Sequence, residues 1–250
     1  MKKIYLIICL SLLSLFTSAQ WNWQNPLPQG NYINSISFVN IDTGYAVWWG
    51  GTILKTIDGG TSWSTIPTGT ENVFRSVCFT GSNTGYVAGY NGTILKTIDG
   101  GSTWDSLSTG TSDELFCLSF PSVDTGYVST EYGFVLKTVN AGMTWTYCSP
   151  GPNALRSIYF TNNNTGYGVG GSNEIWKTSN GGNTWTSVSI GLPYDLHEIY
   201  FPAEDTGYAV GDHGTIVKTT NAVSPGLLWQ VDLMTVWHPF VLQMQIMAMQ

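Results

Sequence analysis

The sequence predicts an all-β chain folded as a β-propeller of four-stranded antiparallel blades. Three observations carry this. A tetrapeptide, Asp or Asn followed by Thr-Gly-Tyr, recurs at 42–45, 83–86, 124–127, 164–167 and 205–208, its glycines 41, 41, 40 and 41 residues apart. Lys55, Lys96, Lys137, Lys177 and Lys218 repeat in the same steps. Each unit also holds four short β-forming runs, in the first unit 35–39, 44–48, 52–56 and 62–66, separated by turn residues. Four strands in about 40 residues is the pattern of a propeller blade. A lone blade leaves its faces uncovered, so the units must stack about a common axis.

Composition agrees. The 250 residues include 29 glycines, 14% aromatics and only 10% charged residues, which suits a β-rich core and excludes a disordered charged chain. A formal charge of −7 argues against binding to nucleic acid or to anionic membranes.

Along the chain, residues 1–19 read as a signal peptide. Lys2 and Lys3 precede a short apolar run over 4–16, and Thr17-Ser18-Ala19 supplies a cleavage site. The run is too short for a membrane anchor, and the mature chain is expected to be secreted or periplasmic. Cleavage leaves seven cations against 16 acids, a net charge of −9, and three cysteines, Cys78, Cys117 and Cys148. An odd, small number does not make a disulfide scaffold, and they read as small buried hydrophobes.

Segment 20–29 matches the outer strand of a blade, since Trp23 precedes Phe38 by the 15 residues that separate Trp145 from Phe160. It is expected to close the ring on the last blade and so remove an exposed edge. Blades follow at 31–71, 72–112, 113–152, 153–193 and 194–222. After Ala222 the pattern breaks, and four of the six methionines fall in 234–249. A reading frame shifted by one base near codon 223 would restore the repeat. Residues 223–250 are therefore expected to be an aberrant tail that packs poorly and carries no function, in a propeller of six or more blades truncated to five.

A third marker is T-x-[DN]-x-G-x-[ST]-W. It is carried by Asp58, Gly60 and Trp63; by Asp99, Gly101 and Trp104; by Asn140, Gly142 and Trp145; and by Asn180, Gly182 and Trp185. It resembles the Asp-box of bacterial neuraminidase repeats. Asp or Asn can bond turn amides, Gly can take a positive φ, and Trp can cover apolar surface. Asn in two of the four copies points to turn chemistry rather than to a metal site. With "GYAVG", "GTILKT" and "DGG-x-x-W" phrases, the chain over 21–221 resembles the photosystem II stability/assembly factor family of propellers. That resemblance implies the fold and, as one possible role, assistance to chlorophyll-protein assembly through an arginine-rich face, to which only Arg75 and Arg156 could contribute here.

The same two arginines are too few for the carboxylate clamp of a sialidase. A glycan-active hydrolase would need two carboxylates across a cleft, for which Glu71, Asp113, Glu114, Asp195 and Glu198 are the candidates in the loops leading into each blade. No metal or cofactor motif is present, and His197, His213 and His238 match no zinc or catalytic spacing.

One face remains. Turns between second and third strands carry Trp48, Trp49, Tyr90, Tyr132, Asn173 and His213, and four residues before each first-strand Phe stand Asn34, Arg75, Phe116, Arg156 and His197. These should line one mouth of the channel, on the side opposite the T-x-[DN] turns. Trp48, Trp49, Tyr90, Tyr132, Asn173, His213, Arg75, Arg156 and His197 are the expected ligand-binding set, suited to a protein or a glycan. The sequence reading is thus a secreted, non-catalytic interaction module, with the hydrolase and the photosystem assembly factor as alternatives.

Overall fold

The computed structural model describes residues 32–148, 154–171, 174–189, 191, 193–221 and 230–233. Segments 1–19 and 20–29, read as signal peptide and closing strand, lie outside these residues, as do Asn173, His238 and most of 223–250.

Among the described residues twenty strands form five four-stranded antiparallel sheets, each in the order of its sequence. The first blade is β1 (Ile33–Phe38), β2 (Gly44–Trp48), β3 (Thr52–Thr56) and β4 (Ser64–Pro67). The second is β5 (Phe74–Phe79), β6 (Gly85–Gly89), β7 (Ile94–Thr97) and β8 (Asp105–Leu107). The third is β9 (Leu115–Ser119), β10 (Gly126–Thr130), β11 (Val135–Thr138) and β12 (Thr146–Tyr147). The fourth is β13 (Leu155–Phe160), β14 (Gly166–Gly170), β15 (Glu174–Thr178) and β16 (Thr186–Ser189). The fifth is β17 (Leu196–Tyr200), β18 (Gly207–Gly211), β19 (Thr215–Thr219) and β20 (Gln230–Leu233).

Strand β20 lies within the segment read as an aberrant tail. It nevertheless pairs with β19, Lys218 facing Gln230 and Val217 facing Val231. Ladder pairing uses backbone N–H and C=O groups, which a segment of any composition carries. This strand holds the outer position of the fifth sheet, where the 20–29 segment was expected.

Four of the second strands are buried at every residue, in inner positions of their sheets. First strands stand side by side around the axis in the order β1, β5, β9, β13, β17. Three hydrogen bonds tie them in a common way. Ser35 Oγ accepts from the Val77 amide, Ser76 Oγ from the Leu118 amide and Ser157 Oγ from the Ile199 amide, at 3.1–3.2 Å. In the third blade Cys117 occupies the serine position and its Sγ contacts the Ile158 carbonyl at 3.5 Å.

The repeat markers prove to be the groups that join blades. Tyr45 Oη and Lys55 Nζ both donate to the Gly100 carbonyl of the next blade, each at 2.7 Å. Tyr86 Oη and Lys96 Nζ do the same to Ala141, at 3.0 and 2.8 Å. The tetrapeptide glycine is demanded by its neighbour: a Cβ on Gly85 would lie 2.6 Å from the Phe79 ring, and one on Gly126 2.3 Å from Phe120.

The T-x-[DN] turns are closed by local bonds. Asp58 Oδ1 accepts from Thr56 Oγ1 and from the Ser62 amide, and Oδ2 accepts from Ser62 Oγ. Asn140 repeats this with its amide nitrogen donating to Thr144 Oγ1. Both acid and amide satisfy the same turn, as their interchange in the sequence implied. The following tryptophans cover the first-strand phenylalanines edge-on, Trp63 on Phe38, Trp104 on Phe79 and Trp145 on Phe120, all at 6.2 Å.

Candidate functional site: the mouth of the channel

Each first strand carries one β-bulge near its start. It falls between Ile33 and Ser35, Phe74 and Ser76, Leu155 and Ser157, and Leu196 and Glu198, with a matching irregularity between Leu115 and Leu118. A bulged residue leaves the pairing and re-aims its side chain. The bulged residues are Asn34, Arg75, Arg156 and His197, with Phe116 in the corresponding stretch, and these are the positions the sequence spacing singled out. Asn34, Arg75, Phe116 and Arg156 line a single cleft of about 530 Å³ that all five first strands border.

The turns between second and third strands lie on the same side. The Tyr90 amide donates to the Val73 carbonyl, Glu131 to Glu114 and Asp212 to Asp195, each joining a turn to the loop that leads into its blade. Three of these turns are tight because their two central residues are left-handed: Gly50-Gly51, Asn91-Gly92 and His213-Gly214, the geometry of a type I′ hairpin.

Two charged networks occupy the mouth. In the first, Arg75 Nε meets Glu114 Oε1 at 2.5 Å and its Nη2 donates to Tyr90 Oη at 3.0 Å. The guanidinium also lies over the rings of Tyr90 and Phe116, at 5.2 and 6.0 Å. In the second, Arg156 Nη1 donates to His197 Nδ1 at 2.8 Å, and Arg156 Nη2 stands 3.5 Å from Asp195 Oδ2. His197 Nε2 contacts Asp212 Oδ1 at 2.6 Å. Because a guanidinium only donates, Nδ1 must accept, so the imidazole hydrogen sits on Nε2 and is given to Asp212. That bond, aided by the charge of Arg156, holds the Asp212 carboxyl below its ordinary range.

Among the other expected ligand residues, Trp49 and Tyr132 are exposed on their turns, and His213 packs against Tyr194 at 4.5 Å. Trp48 is a correction. It is 1% exposed and belongs to the core of the first blade with Ala46 and Leu54. It is the last residue of β2, a strand buried on both faces, and shares the face of Ala46, whereas Trp49 stands beyond the strand in the exposed turn.

The carboxylates proposed for a hydrolase are divided in use. Glu114 and Asp195 face arginines, Glu71 is exposed in its loop, and Asp113 serves its turn through its backbone, which accepts from the Gly92 amide. Glu198 alone lies within the cleft, where burial raises its carboxyl to about 7 against the opposing hydrogen bond from Ser157. Among the described residues no three His, Cys, Asp or Glu side chains gather as a metal site.

Sequence reasoning passed over Tyr159, Tyr200 and the special place of Glu198. A signal was present: three residues before each first-strand Phe the repeats read Ser35, Ser76, Cys117, Ser157 and Glu198. It also passed over the opposite face, where Ile57, Ile98 and Val139 project into solvent from equivalent turn positions.

The sequence model of the photosynthesis system II assembly factor YCF48 matches residues 61–153 and 149–220. A solved structure described as YCF48 bound to D1 peptide shares 19% identity at a TM-score of 0.51, covering 83% of this chain and 84% of that one. YCF48 from Cyanidioschyzon merolae shares 20% at 0.66, covering 83% and 73%. An ancestral GH74 enzyme shares 16% at 0.64, covering 83% of this chain but only 33% of its own. At these identities the likeness is one of fold. No curated protein matches the chain. The family match spans more than half of the sequence and includes four of the five tetrapeptides and three of the four T-x-[DN] turns, so the chain belongs to the photosynthesis system II assembly factor YCF48 family.

Proposed function

We propose that this protein is a non-catalytic, protein-binding propeller of the assembly-factor kind, which holds an extended segment of a client polypeptide across the channel mouth. The observation that carries this reading is the irregularity in every first strand, which presents Asn34, Arg75, Phe116 and Arg156 to one cleft, with His197 bonded to Arg156 at its rim. Such a rim offers amide, aromatic and charged groups to a backbone and its side chains. Family membership supports the reading, and a relative of the same fold is described as bound to a peptide. A non-catalytic role is supported by Glu114 and Asp195, whose charges are engaged by Arg75 and Arg156.

The mouth is not a basic face. Arg75 and Arg156 are both ion-paired, and Glu114, Asp195 and Asp212 outnumber them. With a formal chain charge of −7, the client segment is one that brings positive charge. Export to the periplasm or cell exterior is part of the same proposal and rests on the pattern of residues 2–19.

The test is panning of displayed random peptides on the purified protein, followed by binding of the recovered peptides to E114Q and D195N variants, which neutralise the acids of the mouth. Peptides rich in basic residues, bound at least tenfold more weakly by either variant, are the expected result. Recovery only of peptides indifferent to both substitutions removes the mouth as the binding site.

A further inference from the structure

We propose that the channel below the mouth is a receptor for a single ammonium or guanidinium group, held by the carboxylate of Glu198 against the rings of Tyr159 and Tyr200. The proposal deepens the client-binding reading and rests on it for the source of that group, a lysine or arginine side chain of the client.

Three observations point to this chemistry. The first is position. In three other blades the equivalent side chain is a serine whose hydroxyl ties its blade to the next. Glu198 replaces that short neutral group with a longer acid, and it lines the cleft of about 530 Å³.

The second is unspent capacity. Ser157 Oγ donates to Glu198 Oε1 at 3.2 Å, and among the described residues no hydrogen bond reaches its Oε2. Arg156 lines the same cleft, yet its ion pair is with Asp195 and its other bond goes to His197. Arg75, which lines the cleft too, is paired with Glu114, so both of the cleft's own cations are used elsewhere and the acid is left facing the cavity. A half-buried carboxylate without a counter-charge is costly, and an incoming cation relieves that cost.

The third is the wall. Strand alternation puts Tyr200 on the face of β17 that carries Glu198, and Tyr159 on the face of β13 that carries Ser157. The two rings meet edge to face at 5.3 Å and both line the cleft. Aromatic faces beside one carboxylate are the surroundings that recognise an ammonium or a guanidinium on an alkyl stem.

The probes are n-butylammonium and n-butylguanidinium, with n-butanol as the neutral control, titrated into the full chain and followed by backbone amide NMR. The expected result is saturable shifts at Ser157, Glu198 and Tyr200 with both cations. Binding of n-butanol should be at least tenfold weaker, and E198Q, which can keep the Ser157 bond, should weaken the cations at least tenfold. Wild-type protein supplies a second measurement: between pH 8 and pH 6 cation binding should fall about tenfold as Glu198 gains its proton. Around Glu198, burial raises the Cys117 thiol and the Tyr159 and Tyr200 phenols, so all three stay neutral there. The fall with pH should be absent in E198Q. Equal binding of n-butanol, cation binding unaltered in E198Q, or shifts that leave these residues untouched would overturn the proposal. Such a failure beside intact mouth-dependent peptide capture removes this site and leaves the client reading standing. Cation binding at Glu198 with no peptide captured does the reverse.

Discussion

The ring of Tyr45 lies flat on the ring of Phe79 in the following blade, centroids 4.0 Å apart and planes 20° from parallel. The pair recurs as Tyr86 on Phe120, Tyr127 on Phe160 and Tyr167 on Phe201, at 3.5–4.0 Å. Each tyrosine comes from a second strand and each phenylalanine from the next blade's first strand. The stack is therefore an inter-blade joint, with the tryptophan of the phenylalanine's own blade closing its edge. Stability in such an array is a sum of units and of the interfaces between them.

The joint should fail by degrees. Phe120→Ala removes a ring held between Tyr86 and Trp145 and should cost about 3–5 kcal/mol. Tyr86→Phe keeps the stack and loses only the bond to Ala141, whose carbonyl still accepts from Lys96, so about 1 kcal/mol is expected. Urea denaturation followed by tryptophan fluorescence reads both. A loss for Tyr86→Phe as large as that for Phe120→Ala would mean that the hydroxyl, not the ring, joins the blades.

Gly126→Ala tests the same joint from beneath. The new methyl would lie 2.3 Å from the Phe120 ring, so the ring must move off its stack, at a cost of about 1–3 kcal/mol. Backbone conformation is not the reason, since Gly126 is extended within β10 and lacks a positive φ. The double variant Gly126→Ala/Phe120→Leu should recover part of the loss in the same urea titration. No recovery would place the clash elsewhere.

The T-x-[DN] turns should distinguish side-chain shape from charge. Asn140→Ala deletes the two bonds accepted by Oδ1 and the one donated by Nδ2, and about 1–2 kcal/mol should be lost. Asp99→Asn should leave the thermal midpoint nearly unchanged, because Asn140 and Asn180 already close the same turn. Hydrogen bonds from Thr103 hold the Asp99 carboxyl down to about 2. Whatever stability it gives is present above the ordinary carboxylate range and is lost only as the pH falls toward that value. A large drop for Asp99→Asn at pH 7 would show that the charge itself is needed.

How much of this was legible in the sequence follows from what repeats. The joint between blades is built the same way each time, so Tyr45, Lys55, Gly85, Phe79 and Trp104 announce themselves by period. The bulge positions were found from their fixed distance to Phe38 and its equivalents, although period alone could not say that a bulge presents them. Trp48 was misplaced because two adjacent tryptophans look alike in sequence, while the strand, buried on both faces, ends between them. Glu198 was seen only as one acid among several. Its meaning lies in the bonds that the equivalent serines make to a neighbouring strand, and those need coordinates. In the tail, β20 was hidden for the opposite reason, since backbone pairing leaves no periodic mark in composition.

Glu198 should also be visible in stability without any ligand. Burial raises its carboxyl to about 7 from an ordinary value of 4.5. Between those two values the folded chain holds a proton that the unfolded chain has released. Unfolding then becomes easier as the pH rises through this window, and above about 7 the penalty is complete. Its size is at most about 3 kcal/mol, reduced by whatever water enters the cleft. Glu198→Gln carries no such penalty. The variant should therefore match the wild type near pH 4.5 and exceed it by about 1–3 kcal/mol at pH 8 in urea titrations at the two values. n-Butylammonium should close part of that gap at pH 8 in the wild type only, because a ligand that binds the folded, ionised form stabilises it. A wild type as stable as Glu198→Gln at both pH values would mean that the carboxylate is well solvated in the channel, and the reason for it to seek a cation would be gone.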